Sequence, residues 1–587
     1  MKQPVTQPTS AHILSLPGRA LRLPLFLALV GVTTAAGGGM MGSIMRAGGI
    51  RMVETFLLAC FVPTFAWISM AFWSAVMGFV LQLFRRNPVT LRKVADGAPL
   101  LSLDATSGTT ALVMPAHNED PVRVGSGIRR ILQSVEATGM GERFHFFLLS
   151  DTTQPVIAEE EERAWSQLRS EAAHPQRLFY RRRSPNTGRK PGNIADFCRR
   201  WGADYRYMVV LDADSVMEGP TLVELVQLME ANPRAGIIQT VPIPRGQASY
   251  FGRLLQFAGR LYGPMLATGY SFWQGNAANY WGHNAILRVA PFAEHGTLPR
   301  LSGSPPLGGE VLSHDFVEAA LLRRAGWDCY LLPHLQGSFE EVPGNLVDYA
   351  RRDRRWCQGS LQHLRLMGLP GLRGISRLHF FMGAMGYLSS ALWLLLLLGS
   401  TAYVLLPETP AGESSGSQGF QAPISLLAVT AGILFLPRVM ALMLALGRRS
   451  SAFGGSLHLV TGLMVETLFT VVVAPIMMLL HSRFVTEILA GRTVPWHAQD
   501  RDGREISWDE AWEAGWEPTV VGMVWAGVTL WHSPFFALWL SPIFVGLLLA
   551  IPIIRWSSGS GGREAPLPTR APFAPPSPSS ASGSHGN

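Results

Sequence analysis

The chain has 587 residues, enough for more than one domain, and is 48% hydrophobic but only 15% charged, against ~25% charged in a typical soluble domain. That balance excludes a disordered chain and argues against an ordinary soluble enzyme. Its four cysteines (Cys60, Cys198, Cys329, Cys357) include no CxxC pair, so neither a disulfide framework nor a zinc site is indicated. In so apolar a chain the net charge of +8 reads as basic flanks of membrane segments rather than a nucleic-acid surface.

Two apolar runs open the chain, Pro24–Met45 and Thr55–Phe84, each long enough to cross a bilayer, which takes about 20 residues. A second long run after a short turn argues against a cleaved signal peptide. Arg19, Arg22, Arg85, Arg86, Arg92 and Lys93 lie outside this pair, placing residues 1–23 and the chain beyond 84 in the cytoplasm. From 85 to 378 nothing apolar is long enough to span, and the pattern alternates strand-like and helix-like pieces, as in an α/β domain. Residues 111–115, 144–149 and 207–211 read as buried strands. They end respectively at His117-Asn118-Glu119-Asp120, Ser150-Asp151 and Asp212-Ala213-Asp214-Ser215. In open α/β sheets ligands bind at that carboxyl edge.

Membrane sequence resumes over 379–556. His379–Leu406 and Ile424–Gly447 read as spans, joined by a loop without Lys or Arg that belongs outside. Arg438 interrupts the second, either as a functional intramembrane charge or snorkelling to the cytoplasmic interface. Leu457–Leu480 carries Glu466, Pro475 and flanking histidines and is followed by Arg483, Arg492, Arg501 and Arg504. It reads as an interfacial or re-entrant helix, with a simple span as the alternative. The Trp-rich segment 508–516 reads as an amphipathic surface helix. Val520–Trp556 holds two helices broken near His532–Pro534, and the Ser/Pro/Gly-rich tail 557–587 is expected to be disordered and cytoplasmic. The count is six spans, or seven to eight if the disputed segment or another break crosses.

Asp212-x-Asp214 carries the most chemistry. Two carboxylates at a strand end can share a hard divalent cation with substrate phosphates, although a solvated turn is the simpler reading of a lone DxD. Ser313-His314-Asp315 precedes a helix expected over 316–325, where Ser313 or Asp315 would act as a cap; Asp315 is also a candidate base, with His314 and Glu318 as alternatives. Arg351–Arg355 with Trp356 combines bidentate donors with a stacking face, or forms a basic amphipathic segment on a membrane surface. Lys190 stands in a basic loop, and His283 is as readily structural as functional.

In order and spacing these motifs resemble the processive family-2 glycosyltransferases, inverting membrane enzymes that include cellulose and hyaluronan synthases. Pro115-x-x-Asn118-Glu119, Asp151, Gly188-Arg189-Lys190-Pro191-Gly192-Asn193, Asp212-x-Asp214, Ser313-His314-Asp315 and Arg352-x-x-Arg355-Trp356 carry the resemblance. Two motifs depart from the pattern: Ser-His replaces Thr-Glu before Asp315, and Arg352 replaces a Gln. The words 279–284, 313–319 and 351–359 narrow it to the glucosyltransferase H family of osmoregulated periplasmic glucan synthesis in Gram-negative bacteria.

The resemblance implies a GT-A-type, Rossmann-like cytoplasmic domain inserted between α-helical transmembrane segments of the inner membrane. It implies UDP-glucose as donor, a growing linear β-1,2-glucan as acceptor and product, and export to the periplasm, with a periplasmic glucan-processing protein as a candidate partner. Pro115, Asn118, Glu119, Asp151, Lys190, Asn193 and Asp212 would bind the nucleotide sugar, and Asp212 and Asp214 would bind Mg2+ or Mn2+. Asp315 would be the base, and His283, Arg352, Arg355 and Trp356 would bind acceptor or diphosphate. Phe484-Val485-Thr486 resembles the cellulose-synthase gating loop, which places 483–517 in the cytoplasm with Thr486 on the diphosphate. The intervening residue and the following Lys-Gly of that loop are missing here. Another β-glycan synthase, or a transferase acting on a lipid-linked carrier, is the alternative, and no nucleic-acid partner is implied.

Overall fold

The computed structural model describes residues 18–46, 52–92, 109–405, 418–493 and 504–560. The expected tail lies outside these residues from 561 onward, as does the middle of the gating-like segment, 494–503. The chain opens with α1 (Arg19–Arg46) and α2 (Met52–Leu83), followed by β1 (Thr110–Ala116), α3 (Pro121–Glu136), β2 (Phe144–Ser150) and α4 (Pro155–Glu171). Next come β3 (Leu178–Arg182), α5 (Arg189–Trp201), β4 (Tyr207–Val210), β5 (Val216–Met217), α6 (Gly219–Ala231), β6 (Ala235–Thr240) and β7 (Ile243–Pro244). The domain continues with α7 (Tyr250–Gln274), β8 (Ala285–Arg288), α8 (Val289–His295), α9 (Asp315–Arg324), β9 (Asp328–Leu332), β10 (Ser338–Glu340) and α10 (Leu346–Leu366). After α11 (Gly374–Leu405), α12 (Gln418–Arg448) and α13 (Ser456–Leu489), the chain ends in α14 (Trp508–His532), α15 (Pro534–Trp539), α16 (Ser541–Leu548) and α17 (Ala550–Ser557).

Seven strands form one sheet in the order β3-β2-β1-β4-β8-β6-β9, in which β8 runs antiparallel to both neighbours. A small sheet, β5-β10-β7, stands beside it. The apolar run of β1 is buried on both faces because successive side chains alternate across the sheet. Leu112 and Met114 pack with Ile128 and Ile131 of α3 and Leu225 of α6. Ala111 and Val113 pack with Ile194 and Phe197 of α5 and Leu322 of α9. The parallel register sets Ala116 beside Ser150 and Ser150 beside Arg182, so the loops after β1, β2 and β3 leave from one edge.

Among the described residues five helices are long and apolar enough to cross a membrane: α1, α2, α11, α12 and α13. Helix α13 packs on α11 and α16 and also meets α7 and α10 along its length. Near its start Leu459 and Leu463 pack on Leu261 and Met265 of α7, and midway Ile476 meets Phe251 of α7 and Leu346 of α10. Near its end Phe484, Val485 and Ile488 lie on Cys357 and Leu361 of α10. Both ends therefore rest against the α/β domain. Helix α13 is unbroken despite Pro475, so no re-entrant turn is present in it.

Of the remaining apolar helices, α1, α11 and α12 pack around α2, and α14 packs against α16 and α17. Arg22 of α1 donates to the Pro88 carbonyl beyond α2 at 2.8 Å, and Arg448 at the end of α12 donates to the last carbonyls of α2, Gln82 at 2.7 Å and Leu83 at 2.9 Å. Helix α14 continues the Trp-rich segment unbroken into the apolar run, rather than forming a separate surface helix. Ser533 caps α15 at the expected break, and the return leg ends where the Ile506 amide meets Ser558 Oγ at 2.9 Å. Arg438 does not simply snorkel: its guanidinium lies 3.6 Å from Glu466, which accepts from the Tyr262 hydroxyl at 2.5 Å.

Helix α7 is the platform that joins the two halves. A Cβ on Gly78 of α2 would strike the Met265 carbonyl of α7, and one on Gly269 would strike the Ser74 carbonyl, so the two backbones touch. Gly78→Leu must push α2 off α7. We expect a loss of about 1–3 kcal/mol, read as a lower unfolding temperature of the detergent-solubilised protein, with Gly31→Leu as the control in open space.

Candidate active site

The carboxyl edge of the sheet opens onto a cavity of about 1810 Å³. Its lining includes Pro115, Glu119, Asp151, Lys190, Asp212, Asp214, His283, Asp315, Arg352, Arg355 and Trp356. It continues past α10 to Trp67 of α2, Gly383 and Tyr387 of α11 and His481 of α13. One cavity thus joins the polar strand edge to the apolar helices.

Asp151 is buried at the end of β2, and Arg183 grips it bidentately, Nε to Oδ1 at 2.6 Å and Nη2 to Oδ2 at 2.9 Å. The same guanidinium donates to the Arg189 carbonyl at 2.8 Å, which folds the loop before α5 back over the strand ends. A Cβ on Gly192 would strike the Thr187 carbonyl, so the loop closes this tightly only with glycine there. It brings the Lys190 ammonium onto Asp212 Oδ1.

Asp212 follows β4, and its amide donates to Ser215 Oγ at 3.0 Å, holding the turn that presents Asp214. Glu340 of β10 faces this pair, and its carboxyl is pushed above the usual range by burial; nearby His283 opposes the shift while Asp214 adds to it. His283 Nε2 lies 3.5 Å from Glu340, and its Nδ1 3.4 Å from Ser215 Oγ. Among the described residues no three His, Cys, Asp or Glu side chains converge to hold a metal alone. The donor set of Asp212 and Asp214 fits a hard cation whose remaining ligands are substrate phosphate oxygens and water, the usual arrangement for Mg2+.

Asp315 occupies the first turn of α9, where the cap residue is His314 with no side-chain capping bond, so neither Ser313 nor Asp315 is the cap. A Cβ on Gly282, which has φ +87, would come 3.6 Å from the Asp315 Cβ, so the 279–284 loop closes directly over this residue. From below, α10 grips the preceding loop. Gln358 and Gln362 donate to the Pro306 carbonyl at 3.0 and 3.1 Å, and Gln362 Oε1 accepts from the Leu312 amide at 3.0 Å. A Cβ on Gly359 would strike Ser313 Oγ. Two turns earlier on α10, the Arg352 guanidinium stacks 4.4 Å from the Trp356 ring and 5.0 Å from Tyr349.

Three residues matched to the motifs stand elsewhere. Asn118, at φ +52, does not line the cavity; its Oδ1 accepts from the Thr153 and Gln154 amides at 3.0 and 3.1 Å, which ties the loop after β1 to the loop after β2. Asn193 is fully buried, donating to the Leu149 carbonyl at 2.9 Å and accepting from Arg181 at 2.7 Å, so it anchors α5. Thr486 is helical, and its hydroxyl donates to the Ser482 carbonyl at 2.8 Å, away from the cavity lining. The gating-like segment is helix α13 through Leu489 and helix α14 from Trp508, not one loop.

Sequence reasoning missed Glu340, whose only signal is an acidic pair after a short strand-like run, and Asp353. Asp353 is buried within the basic stretch of α10, and its carboxylate meets His481 Nε2 of α13 at 2.9 Å.

A glycosyl transferase family group 2 profile matches residues 207–557, and a glycosyl transferase family 2 profile matches 111–296. The glucans biosynthesis glucosyltransferase H of Bradyrhizobium diazoefficiens is 43% identical over 544 residues, 91% of this chain and 72% of that protein. That of Pseudomonas paraeruginosa is 43% identical over 517 residues, 86% of this chain; the alignment takes in 60% of the relative's length. A mannosyltransferase from Pyrobaculum calidifontis, solved with GDP-Man and Mn2+, aligns with TM-score 0.42 and 14% identity over 71% of this chain and 99% of its own. At that score the likeness decides nothing here. With the group profile over more than half of its length and a relative matched over most of both chains, the chain belongs to glycosyl transferase family group 2, together with the glucans biosynthesis glucosyltransferases H.

Proposed function

We propose that this chain is an inverting, UDP-glucose-dependent glucosyltransferase that polymerises glucose into the linear β-1,2-glucan backbone of osmoregulated periplasmic glucans. Its α/β domain faces the cytoplasm of a Gram-negative inner membrane. The apolar helices cross the bilayer in six spans, with α13 along the interface. The observation that carries this reading is the single cavity shared by the Asp212–Asp214 pair, Asp315 and the walls of α2 and α11.

The residues divide the work. Pro115, Glu119 and Asp151 hold the nucleotide, with Asp151 oriented by the bidentate Arg183. Asp212 and Asp214 would hold Mg2+ or Mn2+ beside the diphosphate, and the cation would supply positive charge to the UDP leaving group. Lys190 and Arg355 add positive charge to the same oxygens. Trp356, with Arg352 against it, offers a face to the acceptor sugar, and His283 shapes that pocket beside Glu340. Asp315 takes the proton from the acceptor hydroxyl as the oxygen attacks the anomeric carbon from the side opposite UDP, which inverts the configuration.

His314 stiffens the base's helix by pairing Nδ1 with Glu318 Oε2 at 2.9 Å. Burial works against charging His314, but Glu318, with Asp315, outweighs it and raises the pKa. A raised folded-state value means that the pair's stabilisation is complete below the ordinary histidine value of about 6.5 and is lost as pH rises through the raised value. The stability gap between wild type and His314→Gln should accordingly be widest in acid and close toward alkaline pH, as followed by thermal unfolding.

Incubation of purified protein with labelled UDP-glucose and Mg2+ should yield a polymer with β-1,2 linkages on linkage analysis. Single additions to a lipid would overturn the polymerase reading, and another linkage would reassign the product. Asp315→Asn should lower polymer formation by about 10²–10⁴-fold without changing insertion. A chelator should stop turnover, and added Mg2+ or Mn2+ should restore it.

A further inference from the structure

His363 of α10 is absorbed by none of the roles above, yet it lines the same cavity and is only 1% exposed. Its ring is fixed on both faces, by Phe316 at 5.7 Å with 20° between planes and by Phe380 at 5.0 Å. Its Nε2 meets the Ser313 carbonyl at 2.7 Å. A carbonyl only accepts, so Nε2 carries the proton and Nδ1 presents a lone pair. Nδ1 is buried and has no hydrogen-bond partner among the described residues. A buried polar atom left unmatched is costly enough to need a reason.

The surroundings of Nδ1 indicate its partner. It faces α11 at Gly383, where a Cβ would come 3.8 Å from Nδ1 and 3.7 Å from Ser360 Oγ, so residue 383 sets no side chain against that nitrogen. His379 Nε2, on the same wall, is likewise buried and unmatched among the described residues. Burial lowers the His363 pKa, with the Ser313 carbonyl and Asp315 opposing, so the ring is neutral at neutral pH. A neutral acceptor flanked by aromatic rings suits a neutral hydroxyl donor rather than a phosphate or an ammonium group.

We propose that His363 is an acceptor-binding residue: Nδ1 accepts a hydrogen bond from a hydroxyl of the terminal sugar of the growing glucan and helps select the hydroxyl that meets Asp315. The inference rests on the glucan-polymerising reading. Because Nε2 is bound two residues upstream of Asp315, one rigid ring sets both the base's loop and the acceptor's orientation.

The two nitrogens can be separated by substitution in the full-length protein. His363→Gln places an amide near Nε2 and keeps the Ser313 contact but removes the Nδ1 acceptor. His363→Asn keeps an oxygen near Nδ1 and gives up Ser313. With UDP-glucose, Mg2+ and a short oligoglucan of the wild-type linkage as acceptor, the Gln variant should raise the acceptor KM about tenfold and broaden the product linkages. Its donor KM and its acceptor-free release of UDP should stay within about twofold. The Asn variant should keep an acceptor KM near wild type. Unchanged acceptor KM and linkage in the Gln variant would overturn the proposal. So would an equal fall of UDP release and polymerisation in the Gln variant together with a raised acceptor KM in the Asn variant. A wild-type protein that releases no UDP from UDP-glucose would instead sink the glucosyltransferase reading itself.

Discussion

The hydrogen bonds from α10 to the loop ahead of α9 hold the rest of the site in place. Gln358, Gln362 and His363 secure carbonyls and an amide between Pro306 and Ser313, and Gly359 lets the two backbones close to contact. The opposite side of α10 packs on α13 through Cys357 and Leu361, and its N-terminal end meets α13 and α7 through Leu346. Asp315 is therefore positioned by a helix that is itself seated on the apolar part of the molecule. Any shift of α10 against its bed moves the first turn of α9 as well.

The second constraint is the cost of burying charge. Ionised groups taken from water need partners, and the site meets this by pairing nearly every one. Arg183 holds Asp151, Lys190 sits on Asp212, and His314 pairs with Glu318. The same rule operates between the apolar helices, where Glu466 takes Tyr262, Thr470 and Arg438, and His481 takes Asp353 and Ser390. The Tyr262–Glu466 and His481–Asp353 pairs link elements far apart in sequence, so electrostatics as well as packing fixes how the α/β domain sits on its helices.

Much of the architecture was legible in the chain. The apolar runs at 111–115, 144–149 and 207–211 are strands within a residue of those limits, because a strand buried on both faces leaves a continuous apolar signature. The break at His532–Pro534 is where Ser533 caps a new helix. The asparagines were harder. Asn118 and Asn193 sit in motifs that read as ligand contacts, but their amides close loops onto neighbouring strands, and residue type alone does not distinguish the two uses. Thr486 misled because three residues suggested a loop where packing of Phe484, Val485 and Ile488 on α10 continues α13 as a helix.

By itself the sequence determined which residues would meet at the sheet edge, since parallel strands end together and carry Asp151, Asp212 and Asp214 with them. It also determined that two apolar blocks bracket an α/β domain, because hydropathy is a local property. Tertiary structure alone decided that α13 lies across α7 and α10, that Glu340 and His363 face the cavity, and that Asp315 is free of a capping role. These depend on contacts between segments tens to hundreds of residues apart, and no local periodicity, composition or motif spacing encodes which distant side chain a buried nitrogen or carboxylate will face.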